Sequence, residues 1–280
     1  MTEYTESFYD DQSHASYISA TKVLPIIFKH IKPRSVLDLG CGLGTWLKAC
    51  GELGVKDFYG VDGSYVNKEK LWISKDRFIS ANLSEKLYLH RRFDMAFSME
   101  VAEHIDSNSA KLFVNNLTDH SDVILFSAAI PYQGGTGHVN ENWPEFWAIH
   151  FQKNGYKPID FIRPKVWHDP EISFWYKQNT ILYIKEERIN KLGFEHYKAR
   201  SFPLTVIHPD MYLWACMRSE NHHHSNYIRD REYYASLHSA QDSTDEPPKN
   251  INYGSEYQVD FKPRFYFLRK LDQLFKRWTR

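Results

Sequence analysis

The stretch Ser35-Val-Leu-Asp-Leu-Gly-Cys-Gly-Leu-Gly-Thr-Trp-Leu47 decides the fold. Val36, Leu37 and Leu39 make a short apolar run that ends at glycines, the pattern of a strand buried in a parallel sheet. Gly40, Gly42 and Gly44 follow at alternate positions, where the missing Cβ lets the backbone turn sharply and come close to a ligand. The turn then opens a helix. The next apolar run, Asp57-Phe-Tyr-Gly-Val-Asp62, ends in a carboxylate, which can accept from both hydroxyls of a ribose. Asp38, Gly40, Gly42, Gly44 and Asp62 together describe a nucleoside site at the carboxyl ends of adjacent strands.

Working outward, strands are expected near 35–39, 57–61, 77–81, 93–98, 121–129, 156–162 and 179–185. Helices are expected near 17–32, 43–53, 65–71, 107–119 and 144–153. This alternation predicts an α/β, Rossmann-like, seven-stranded and mostly parallel sheet with helices on both faces, plus a C-terminal appendage. Residues 186–217 are apolar enough to pack on that domain. Residues 218–257 are polar and read as a linker or flexible segment. Their His222-His223-His224 run reads as a solvated surface feature, because consecutive loop residues seldom converge on a metal. Residues 258–280 carry Phe267, Leu268, Leu271, Leu274, Phe275 and Trp278 at helical spacing, with Arg269, Lys270, Lys276, Arg277 and Arg280 between them. A basic amphipathic helix of this kind either packs on its own domain or docks on a partner or an anionic membrane surface.

The 280 residues carry 35 basic and 35 acidic side chains, so no global field draws the chain to nucleic acid. Cys41, Cys50 and Cys216 are three in number and lack paired spacing, which argues against a disulfide framework and for a reducing compartment. The opening MTEYTESFYDDQ is polar and predicts no secretory leader, and no apolar run reaches the roughly 18 residues that span a bilayer. The expectation is a cytoplasmic protein, or one held peripherally at the inner membrane face through its C-terminal helix.

The glycine pattern is G-x-G-x-G preceded by Asp38, not the G-x-G-x-x-G of dinucleotide binders. It is followed in order by an apolar run ending at Asn82-Leu83 and by FDMAFSMEVAEHI, a strand running into a helix. Over roughly residues 30–185 the chain resembles the class I S-adenosylmethionine-dependent methyltransferases. That resemblance implies a methyltransferase domain over residues 1–217 with its core at 30–185. It also implies S-adenosyl-L-methionine at Asp38, Gly40, Cys41, Gly42, Gly44, Asp62, Gly63, Asn82, Leu83 and Ser98. Asn82 stands where an aspartate is often found, and its amide is expected to meet the adenine edge.

Methyl transfer to a hydroxyl needs an in-line acceptor and a route for its proton. Glu100, Glu103 and His104 are spaced to share one face of a helix start at the sheet's carboxyl edge. His138 sits in a glycine-rich loop at the same edge. The four are expected to converge on one point, where they would either hold a divalent cation such as Mg²⁺ or Mn²⁺ or leave His138, with His104 and Glu100, to act on the acceptor without a metal. Glu100, Glu103, His104 and His138 are similar to the E-x-x-E-H plus distant His of metal-dependent small-RNA 2′-O-methyltransferases, and they resemble ubiquinone-pathway O-methyltransferases. A packed, chemically idle His138 is the plain alternative. Trp143, Phe146, Trp147, Trp167, Trp175 and Tyr176, mixed with Asn140, Glu141, Arg163, Lys165, His168 and Gln178, either pack on the sheet or hold a sugar ring. The phrase IPYQGGTGHVNENWPEFW resembles bacterial methyltransferases tied to surface-polysaccharide or glycan modification. The implied activity is O-methylation of a sugar, a sugar nucleotide or a surface-glycan precursor. An RNA 2′-O-methyltransferase is the alternative, although nucleic acid is disfavoured by the neutral charge. A non-catalytic cofactor-binding member of the fold is a third reading.

Overall fold

A computed structural model of the protein describes residues 6–198 and 204–218. The predicted linker at 218–257, with its histidine run, and the predicted helix at 258–280 lie outside the described residues, apart from Arg218. The side chain of Cys216 also falls outside them. The chain divides into two units, Met1–Met211 and Tyr212–Arg280. The first holds the sheet and the site. Of the second, only the end of the helix Pro209–Arg218 is described.

Seven strands form one sheet: β1 (Ser35–Leu39), β2 (Asp57–Asp62), β3 (Phe78–Ser80), β4 (Met95–Met99), β5 (Val123–Ser127), β6 (Tyr156–Ile159) and β7 (Ile181–Lys185). Their order is β3-β2-β1-β4-β5-β7-β6. β1 to β5 are parallel, with Asp38 opposite Gly60 on one side and Phe97 on the other. β7 runs antiparallel to β5 and β6 antiparallel to β7. The strand order reverses at β1, between β2 and β4, and ligands of open α/β sheets bind outside the carboxyl ends at such a point.

The two-residue period of the strands sorts side chains onto two cores. Val36, Phe97, Val123 and Leu125 face one layer with α1 (Glu6–Phe28), α2 (Thr45–Glu52), α5 (Arg163–Val166) and α6 (Phe174–Asn179). Leu37, Leu39, Ala96, Ile124 and Phe126 face the other with α3 (Ala110–His120) and α4 (Pro144–Lys153). Ile124 and Leu125 are both fully buried, one on each face, and truncating either to Ala should cost about 2–5 kcal/mol. Strand ends fall within three residues of their expected places. The helix expected at 65–71 is absent. That segment forms two 3-10 turns, Lys68–Lys70 and Lys75–Arg77, because the Asn67 side chain takes the Glu69 amide and stops the chain from winding on. The segment packs on the glycine turn instead, with the Trp72 amide bonded to the Leu43 carbonyl at 2.8 Å.

Candidate active site

The first half of the site is the glycine turn. Gly40, Gly42 and Gly44 have φ of 85°, 53° and 82°, the left-handed region that suits glycine. A Cβ on Gly40 would lie 2.3 Å from a Val101 methyl, and one on Gly44 would lie 2.9 Å from Ile73. At Gly42 a Cβ would meet nothing within 4 Å, so this glycine borders open space where a ligand can approach. The Gly42 amide donates to Asp62 Oδ2 at 2.7 Å. Asp62 Oδ1 accepts from the Gly63 amide at 2.7 Å and from the Tyr65 hydroxyl at 2.6 Å. Asp38 is 2 % exposed, and burial together with the charge of Asp62 pushes its carboxyl up to about 7. Cys41 is buried beside it, and burial raises its thiol. Ser98 is buried in β4, and its hydroxyl has no hydrogen-bond partner among the described residues.

Asn82 departs from the expectation. Its amide nitrogen donates to Glu85 at 2.8 Å and its oxygen accepts from the Ser84 backbone at 3.0 Å. Both ends of the side chain are thus spent on a local turn, as short amides after a strand tend to be. Leu83 beside it is buried in the second core.

The second half lies after β4 and β5. Glu100, Glu103 and His104 do not share a helix face. Glu100 has φ 57° and stands outside the short 3-10 turn Ala102–His104. Its amide bonds to Ser127, and its carboxylate accepts from Gln133 at 2.8 Å and from Asn179 at 3.1 Å. Burial raises the Glu100 carboxyl, while these amides hold it back. Glu100 therefore does not join the other three as expected. Glu103, His104 and His138 do come together, one ligand atom from each lying within 4.8 Å of the others. The loop after β5 doubles back to achieve this, for the Val139 and Asn140 amides both bond to the Glu103 carbonyl.

Within this cluster Glu103 is 1 % exposed, and its Oε2 has no hydrogen-bond partner among the described residues. Burial and the neighbouring Glu100 push its carboxyl well above the usual range. The His104 ring meets the His138 ring edge-on at 4.8 Å, and its Nδ1 lies 3.2 Å from the Gly137 carbonyl. Partial burial, together with the neighbouring His138 ring, lowers the His104 pKa and favours its neutral form. His138 Nδ1 lies 2.8 Å from Glu141 Oε1, and its Nε2 lies 4.0 Å from Glu103. A carboxylate at that distance only accepts, so Nδ1 carries a proton, and in the neutral ring Nε2 presents its lone pair to the cluster. Glu141 also takes the Gly134 amide at 2.6 Å and the Tyr132 amide at 2.9 Å, clasping the whole loop. A Cβ on Gly135 would lie 2.2 Å from His138 Nε2, so that glycine makes room for the ring.

Reading by residue type placed Glu141 only among acceptor contacts and gave it no orienting role. The signal was its i+3 spacing from His138. Arg163 and Gln178, also expected near an acceptor, are structural. Arg163 is 1 % exposed, doubly bonded to Asp160 at 2.8 and 2.7 Å, and donates to the Gln178 and Leu204 carbonyls. Gln178 takes the His208 amide. Trp147 and Tyr176 are buried, and Tyr176 bonds to Ser16 of α1. Tyr132, Val139 and Trp143, by contrast, are exposed on the loop that carries His138.

Residues 12–120 match a family model described as a methyltransferase domain. That match spans the glycine turn, Asp62, Glu103 and His104 and ends before the His138 loop. Among solved structures the chain is similar to the methyltransferase domain of bacterial CtHen1, at 21 % identity over 59 % of this chain and 96 % of that one, with a TM-score of 0.43. It is similar to a sugar N-methyltransferase from a Streptoalloteichus species, at 15 % identity over 66 % and 94 %, TM-score 0.49. It is also similar to magnesium protoporphyrin IX methyltransferase from Synechocystis, at 15 % over 65 % and 88 %, TM-score 0.45. No curated protein sequence matches. Residues 12–120 thus carry a methyltransferase domain, laid over the β3-β2-β1-β4-β5-β7-β6 sheet and its glycine turn.

Proposed function

We propose that the chain methylates a hydroxyl of a sugar, a sugar nucleotide or a surface-glycan precursor. The observation that carries this reading is the Glu141–His138 pair, with Nδ1 held at 2.8 Å and Nε2 turned toward Glu103 and His104. A hydroxyl keeps its proton near neutral pH, and an imidazole fixed in one tautomer by a carboxylate is a group that removes it. S-adenosylmethionine, when bound, supplies an electrophilic methyl on a sulfonium sulfur. Asp62 would accept the ribose hydroxyls, and the open face of Gly42 would lie against the methionine end. The exposed rings of Tyr132 and Trp143 would offer apolar faces to a sugar beside the base. With equal numbers of acids and bases, no global field draws the chain to a phosphate backbone.

One observation favours a metal-assisted version of the same transfer. Glu103 Oε2 is buried without a partner among the described residues, next to two imidazoles. A carboxylate and two histidines suit a divalent cation such as Mn²⁺ or Mg²⁺ with positions left for acceptor oxygens. Glu103, His104 and His138 would hold it, with Glu141 orienting His138 from behind. The cation would lower the acceptor's pKa. This set also suits a ribose 2′-hydroxyl in RNA.

Labelled cofactor incubated with nucleotide sugars, short RNAs and small phenols tests the acceptor. Label in RNA or phenol alone would overturn the sugar reading. Activity lost to a chelator and restored by Mg²⁺ or Mn²⁺ would establish the metal version. Buried free Cys41 and Cys50 accord with a reducing cytoplasm. Among the described residues no helix is long and apolar enough to cross a membrane.

A further inference from the structure

Asp62 holds more donors than a ribose site can keep. Its Oδ2 takes the Gly42 amide, and its Oδ1 takes the Gly63 amide and the Tyr65 hydroxyl. A carboxylate offers about four lone-pair positions. A ribose diol needs two of them, which makes five claims on four positions. The Gly63 amide is next along the chain and fixed at the end of β2, and the Gly42 amide belongs to the glycine turn. Tyr65 differs from both. Its hydroxyl is anchored at 2.6 Å, yet the residue as a whole is 83 % exposed, so little packing holds the ring there. The ring lies across Gly63, where a Cβ would sit 2.1 Å from Tyr65 Cε1.

We infer that Tyr65 is an internal competitor for the cofactor's ribose. This rests on the reading that Asp62 takes the ribose hydroxyls. In the free chain the phenol stands in for one of those hydroxyls and keeps the buried carboxylate satisfied. A bound nucleoside displaces it into solvent. After methyl transfer its return assists departure of S-adenosylhomocysteine, a step that limits turnover in many enzymes.

Calorimetry and stopped-flow release of S-adenosylhomocysteine from the full chain test this. Tyr65→Phe keeps the ring and removes the competing donor. It should tighten binding by about tenfold, the worth of one hydrogen bond to a charged group, chiefly through slower release. Tyr65→Ala should tighten it in the same direction. Unchanged or weaker binding in Tyr65→Phe would overturn the inference. Asp62→Asn in the same assay separates the two levels of the argument. If it leaves affinity at the wild-type value, the ribose reading itself fails, whatever Tyr65 does. If it weakens binding while Tyr65→Phe also weakens it, the ribose reading stands and Tyr65 is a cofactor ligand instead.

Discussion

The cofactor half and the acceptor half of this site are built in different ways. Gly40 to Gly44 and Asp62 sit at the tips of β1 and β2, neighbouring strands joined by one helix, and the sheet register alone places them together. Glu103, His104, His138 and Glu141 come from two loops that meet only because the chain after β5 folds back onto the Glu103 carbonyl. The first half is a property of the fold. The second is a property of one loop and its clasp. The difference implies that the acceptor half can be destroyed without touching the cofactor half, whereas damage to the glycine turn reaches the fold itself.

The largest expected effect breaks the acceptor half alone. His138→Ala removes either a base or a metal ligand, and the methylation rate should fall by roughly 10²–10⁴-fold. Cofactor affinity measured by calorimetry should stay at the wild-type value, because His138 has no contact with Asp62 or the glycine turn among the bonds described. A parallel loss of cofactor binding would show that the two halves are not separable. Next in size is Asp62→Ala, which deletes the acceptor of the ribose hydroxyls. Cofactor affinity should fall about 10- to 100-fold, since hydrogen bonds to a charged group are worth about 1.5–3 kcal/mol. Affinity unchanged in that variant would remove Asp62 from the cofactor half.

These two variants also mark how far the sequence could be read. The strand-turn-helix at Ser35–Leu47 is legible because its demands are local. Apolar alternation fixes the strand, and the positive φ values fix the glycines. Asp62 is legible because it ends the adjacent strand. The convergence of Glu103, His104 and His138 was legible as a set of residue types. Its geometry was not, because it depends on Glu100 adopting φ 57° and turning its carboxylate to Gln133 and Asn179, which lie far along the chain. Spacing rules assume a continuing helix and cannot see a single left-handed residue that stands before the turn and keeps Glu100 out of it. The same limit applies to Asn82, whose amide a local turn consumed, and to Arg163, whose charge the neighbouring Asp160 consumed.

A smaller effect tests whether the cofactor half is bound up with the fold. Gly40→Ala puts a methyl 2.3 Å from Val101 and imposes a φ of 85° on a residue with a Cβ. Overpacking and backbone strain together should cost about 1–3 kcal/mol of stability. The thermal midpoint of the free chain should drop even with no ligand present. A Gly40→Ala chain as stable as the wild type would mean that Val101 yields freely and that the turn is less tied to the core than its contacts imply.

The last expected effect concerns Asp38, which belongs to both the fold and the cofactor half. In the folded chain its carboxyl is pushed up to about 7 by burial and by Asp62, whereas the unfolded chain releases that proton near 3.8. Between these values the folded state holds the extra proton, so stability contributed by this group falls as pH rises from about 4 to about 7. Below pH 4 both states are protonated and the group costs nothing. Above pH 7 both are ionised, and the folded chain carries a buried charge close to a second one. Asp38→Asn removes that charge while keeping the shape. The variant should match the wild type near pH 4 and exceed it at pH 8. Each pKa unit of the shift that survives relaxation is worth about 1.4 kcal/mol, which is roughly 3–6 °C in a domain of this size. The gain should come with weaker cofactor binding, because a carboxylate kept at such cost at the end of β1 is of use only to a ligand that pairs with it. Thermal melts at pH 4 and pH 8 check the first expectation and calorimetry the second. A variant less stable than the wild type at pH 8 would show that the Asp38 charge is already compensated in the free fold, and the strain assigned to this half would vanish.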